Sequence, residues 1–129
     1  MPNMMNSPDS RYSIEFQWKG ELGMSGPAWG VLSINGGPEF QALSPDVIWS
    51  PDAAFVAFVE LHLADVPNAQ RGQGFSSRVI LHRLQDGLQR HLLGNLGLAD
   101  VKLLSWRASR LALSVNGQER EIGLDSVWW

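Results

Sequence analysis

Apolar and polar residues alternate with a period of two over most of this chain, the pattern of strands buried on one face. The clearest run is Tyr12–Trp18, with Tyr12, Ile14, Phe16 and Trp18 on one face and Ser13, Glu15 and Gln17 on the other. The stretch Val47–Leu63 organises the rest. A short apolar strand (Val47, Ile48, Trp49) enters a Ser50-Pro51-Asp52 turn, and a longer strand, Phe55–Leu63, leaves it. Pro51 fixes φ and offers no donor, and Asp52 can bond its own backbone, so this turn has a mechanism. In Phe55–Leu63 every odd position is apolar, while the even positions begin apolar (Val56, Phe58) and end polar (Glu60, His62). That predicts one face buried throughout and the other buried over its first half.

Further strands are predicted at Trp29–Ile34, Ser77–Leu84, Leu88–Leu93, Val101–Trp106, Leu111–Val115 and Glu119–Leu124. The turn signals between them are Asn35-Gly36-Gly37-Pro38, Asp86-Gly87 and Asn116-Gly117. Pro38 is expected to hold the first of these open. Leu81, Leu84, Leu88 and Leu92 also fit a helix over Val79–Leu93, but Gly87 in its middle and the β-branched start favour strands. The expectation is an all-β domain over residues 11–129: an antiparallel sandwich, an open barrel or a partial propeller built of blade-like hairpins. Residues 1–10 are polar, carry Pro2 and Pro8, and are expected to be a flexible N-terminal segment. The connection Ala64–Ser76 has two glycines and little periodicity, and exceeds what a hairpin needs.

Two short internal repeats are visible. Val31–Gly36 (VLSING) recurs as Ala112–Gly117 (ALSVNG), and VIWSPDAAFVAF aligns with KLLSWRASRLAL as strand–turn–strand. The run Trp49-Ser50-Pro51-Asp52 followed by Val56-Ala57-Phe58 resembles the W-S-P-D-G-x-x-[ILV]-A-F signature of TolB-type β-propeller blades. The resemblance implies a turn between two blade strands, with a centrally buried strand after it. Ala53 stands where that family places Gly, and the chain holds two to three units of blade size, short of a closed ring.

Composition narrows the chemistry. The chain has 129 residues, a formal charge of −3 and no cysteine, which excludes disulfides and thiolate metal sites. No basic and apolar leader and no long apolar run is present, so a cytoplasmic protein without membrane contact is expected. Nucleophile elbows, Walker loops, H-E-x-x-H and EF-hand motifs are absent. Arg71-Gly72-Gln73-Gly74 precedes a strand, not a helix, so it does not form a phosphate cradle. Glu60, His62 and His82 could meet across strands as metal ligands or an acid–base pair, but a Glu–Arg pair on a solvated outer face is the better reading. The basic stretch Arg71, Arg78, His82, Arg83, Arg90 and His91 has only Phe75 for stacking, which argues against nucleic acid.

What remains is binding. Trp18, Trp29, Trp49 and Trp106 are assigned to the core, while Trp128 and Trp129 are free for an interface. The expected activity is non-enzymatic binding of a protein partner, with no catalytic residue, metal or cofactor. Candidate partner-binding residues are Arg71, Gln73, Phe75, Arg78, Trp128 and Trp129. In size and composition the chain is similar to immunity proteins that plug a cognate toxin. The alternative is a small-molecule or carbohydrate-binding β domain, possibly hydrolytic, that uses exposed Trp as a stacking platform. Oligomeric state is open, a homodimer included.

Overall fold

A computed structural model of the chain describes residues 3–21, 28–63, 75–93, 96 and 100–124. It is all-β, with no helix among the described residues. Ten strands follow in order: β1 (Asn3–Asn6), β2 (Ser13–Glu21), β3 (Ala28–Ile34), β4 (Glu39–Trp49), β5 (Phe55–Leu63), β6 (Phe75–Arg83), β7 (Gln89–Leu93), β8 (Val101–Arg107), β9 (Arg110–Val115) and β10 (Gln118–Gly123). β1 to β7 form one sheet and β8 to β10 a second. Every paired strand is antiparallel to its chain neighbour, and the sheets do not close into a barrel.

The two-sided burial predicted for Phe55–Leu63 is what shapes the larger sheet. One face of β5 and β6 (Ala57, Val59, Val79) packs on Leu111, Leu113, Val115 and Val101 of the smaller sheet. The opposite face (Val56, Phe58, Ile80) packs on Ile14, Phe16, Leu32, Ile34 and Ala42, which lie in the same sheet. A flat sheet cannot cover itself, so it folds, and β4 is where it folds. Glu39–Ala42 pair with β3, Val47–Trp49 pair with β5, and Leu43–Asp46 bulge out between. The bulge brings the Phe40 ring to 5.1 Å from Phe58 and 6.1 Å from His82, across the concave face. Outside the fold, the β2–β3–β4 surface is polar (Glu15, Gln17, Lys19, Ser33, Glu39). The second sheet likewise turns Lys102, Glu119 and Glu121 to solvent.

A feature missed in the sequence is a second copy of the Ser-Pro-Asp hairpin. Ser7-Pro8-Asp9 joins β1 to β2 as Ser50-Pro51-Asp52 joins β4 to β5. In each the serine hydroxyl donates to the aspartate at 2.6 Å, and the aspartate accepts a backbone N–H two residues on at 3.1 Å. The serine oxygen accepts the N–H of the aromatic at the start of the next strand, Tyr12 just before β2 at 3.1 Å and Phe55 at the head of β5 at 3.0 Å. The residue after each aspartate is left-handed, Ser10 at φ 63° and Ala53 at φ 59°. Laying Ser7 on Ser50 also lays the pair Met5–Ile14 on Ile48–Ala57. Within the N-terminal segment expected to be flexible, Asn3–Asn6 pair with β2 and the turn that follows is closed by its own side chains. Asp9 is held down to about 2, first by the Ser7 hydroxyl, and Asp52 is lowered first by Ser50.

The other turns follow their residues. Asn35 and Asn116, at φ 53° and 52°, each accept through the side-chain oxygen the backbone N–H that opens a neighbouring strand, from Ser13 and Asp100. This is the structural content of the VLSING and ALSVNG repeat. Pro38 does not open its turn, because it supplies only the carbonyl that Ile34 N–H needs, at 3.1 Å. The WRAS connection differs from Ser-Pro-Asp: Arg107 pairs directly with Arg110 around left-handed Ala108. Val79–Leu93 is the hairpin β6–β7, not a helix.

Ser50→Ala orphans the Phe55 N–H in a buried turn and should cost about 1–3 kcal/mol. Ala108→Gly relieves an exposed left-handed alanine and should stabilise by about 1 kcal/mol. Urea midpoints of the two variants against the parent measure both.

Candidate functional site

Cross-strand pairing carries one row of residues over the concave face: Trp18 opposite Gly30, Gly30 opposite Ala42, Ala42 opposite Glu60, and Glu60 opposite Arg78. The middle of the row is small because it must be. A side chain at Gly30 would meet the Gln17 carbonyl and the Phe16 ring at 2.5 Å. At one end Trp18 is 50% exposed and its ring stands perpendicular to that of buried Phe16, with centroids 4.8 Å apart. At the other end the Glu60 carboxylate is held by Nε and Nη2 of Arg78. Trp18 is thus not a core residue. Alternation assigned its face correctly, but the facing strands do not extend over it.

The Glu–Arg pair expected from the sequence is present, though not on a solvated face. The side chains of Glu60 and Arg78 are 11% and 27% exposed. An ion pair this sheltered leaves a charge uncompensated if either partner is lost. His82 does not join Glu60, because the Phe58–Ile80 pair separates their rungs. No group of three or more potential ligands for a metal forms among the described residues. His82 is buried instead, with the Gln89 amide nitrogen 3.0 Å from its Nδ1. An amide NH2 only donates, so Nδ1 accepts and the proton sits on Nε2. Burial lowers the His82 pKa, opposed by Asp86.

Of the residues assigned to partner binding, Arg71, Gln73, Trp128 and Trp129 lie outside the described residues. Phe75 is not in a loop: it opens β6, paired with Leu63 at the end of the β5–β6 ladder. Arg78 lies three positions further, where Glu60 holds it. β5 ends and β6 begins at the Leu63–Phe75 rung, three rungs beyond Glu60–Arg78 on the side where Ile14 pairs with Ile34, whereas Trp18 lies toward the Glu21 end of β2. The register therefore does not bring the exposed Trp and the 64–74 connection together.

Compared with known protein families, curated proteins and solved structures, the chain matches none. Its site is read from its own chemistry. Met4, Leu88 and Leu104 are also exposed, but none of them lies in this row.

The histidine generates a pH dependence. An unfolded His protonates near pH 6.5 and folded His82 only lower, so between those values the unfolded state binds more protons. The contribution is complete above about pH 6.5 and is lost as pH falls toward the folded pKa. Between about pH 7 and pH 5 the parent should lose stability more steeply than His82→Gln, as read from urea midpoints at each pH.

Proposed function

We propose that this chain is a non-enzymatic protein-binding domain of the immunity kind, which occludes a cognate toxin. The observation that carries the reading is the half-exposed Trp18, a large aromatic over which the facing strands do not extend. Trp is enriched among the residues that dominate binding energy. The Glu60–Arg78 pair adds a fixed charge pattern, and Arg71, Gln73 and Phe75 are the further contacts proposed. Chemistry points the same way. His82, Glu60 and Asp52 are each occupied with a partner of their own.

The blade-like reading belongs to this proposal as well. Two hairpins opened by the same Ser-Pro-Asp turn, each leading into an antiparallel meander, support a local kinship with TolB-type blades. The rival reading, carbohydrate binding, is favoured by the same half-exposed Trp18, an aromatic of the kind that stacks on sugars.

Co-expression with the product of the neighbouring open reading frame tests the proposal. A stable complex is expected, with Trp18→Ala weakening it at least about tenfold while thermal stability stays within about 1 kcal/mol of the parent. If no complex forms and a sugar gives a saturable tryptophan-fluorescence shift that Trp18→Ala abolishes, the carbohydrate reading replaces this one.

A further inference from the structure

β1 and β7 are the edges of the larger sheet, and β8 and β10 are those of the smaller one. A strand edge presents unpaired N–H and C=O groups, and folded proteins blunt it with charges or bulges. Three of these edges carry such devices. β10 is charged at Glu119, Arg120 and Glu121, all exposed. β8 carries Lys102 and an extra residue, Leu104, where its register with β9 shifts. β7 carries Arg90 and an extra residue, Leu92, where its register with β6 shifts. β1 has neither device. Its sequence Asn3-Met4-Met5-Asn6 holds no charge and no proline, it pairs with β2 without a break, and Met4 is 58% exposed. We infer that the outer edge of β1 is a self-association surface, which pairs antiparallel with β1 of a second copy of this chain.

The hydrogen bonds fix which residues of β1 face outward. Ser7 N–H donates to Tyr12 O at 2.9 Å, so the backbone groups of Ser7 point at β2. Direction alternates along a strand, so Met5 also points at β2, while Met4 and Asn6 turn their N–H and C=O away from it. Among the described residues no strand meets that edge. An antiparallel register centred on Met5 sets Met4 against Asn6 of the second copy and Asn6 against its Met4. Both outward residues are then paired, and each pair exchanges two N–H···O bonds. Centring on Met4 or on Asn6 pairs only one of them within β1. The side chains favour the same register. Met5 is partly buried and packs on the concave cluster that includes Ile14, Phe16 and Leu32. Across the two-fold axis the two Met5 side chains stand as a non-hydrogen-bonded pair, where side chains approach most closely. Each adaptable thioether covers the flank of the other, and the two concave clusters become continuous. No charge on either β1 opposes the approach. So small an interface belongs to the weak class, with a dissociation constant on the order of 100 µM.

Sedimentation equilibrium of the full chain, loaded from about 10 µM to 1 mM to bracket that constant, should show a monomer–dimer equilibrium. Met4→Pro removes one outward donor and leaves the bonds to β2 in place. It should weaken dimerisation at least about tenfold while the urea midpoint of the dilute monomer stays unchanged. Met4→Ala keeps the donor and should dimerise like the parent. The chain has no cysteine, so single cysteines read the register. Mild oxidation of Met5→Cys should give a disulfide-linked dimer, and Met4→Cys should give far less. A parent that stays monomeric throughout overturns the inference, as does a folded Met4→Pro variant that dimerises like the parent. So does equal cross-linking of Met4→Cys and Met5→Cys, and that comparison decides alone if Met4→Pro does not fold. Binding of the neighbouring gene product is read separately, through Trp18→Ala, so either reading can fail alone.

Discussion

Burial of both faces of β5 and β6 is the constraint on which the rest depends. A strand with Phe58 on one side and Ala57 and Val59 on the other needs two covers, and the chain supplies them by different means. The second sheet covers one face. The other is covered by folding the first sheet onto itself, and that fold needs the four-residue bulge in β4 and the Phe40 ring that crosses the concave face. Each fully buried aromatic on this face contributes on the order of 2–3 kcal/mol, which is large against a net stability of about 5–15 kcal/mol.

The pattern of the chain made much of this legible. The Val47–Leu63 hairpin, its two-sided burial and the Asn-Gly turns could be read because each depends on neighbours in sequence. What escaped depends on depth and register. Trp18 follows Ile14 and Phe16 in perfect alternation, and alternation reports a face without reporting whether a partner reaches over it. Asn3–Asn6 shows no alternation, so β1 was invisible, although Ser7-Pro8-Asp9 repeats the very turn already recognised at Ser50. Comparing those triplets, and the aromatic five residues after each serine, would have revealed it. The bulge at Leu43–Asp46 leaves no mark in the pattern, because a strand that changes partners midway has no period of its own.

The polar groups show how little of the chemistry suggested by residue type survives folding. Three titratable groups that looked available from the sequence are engaged: Glu60 by Arg78, His82 by Gln89 and its own burial, and Asp52 by Ser50. Each is ordered by the partner its register gives it.

The strand order has a consequence for how the chain reaches this state. Every strand hydrogen-bonds only to strands next to it in sequence, with no crossover in either sheet. Contact order is therefore low for an all-β protein, and loop closure extracts little entropy except across residues 64–74. The Ser-Pro-Asp hairpins close over a few residues with hydrogen bonds of their own, so they are the natural nuclei. The β5–β6 pairing, which must bridge the longest connection, is then the natural late step. Folding of this chain should consequently be governed less by its topology than by the length of a single connection.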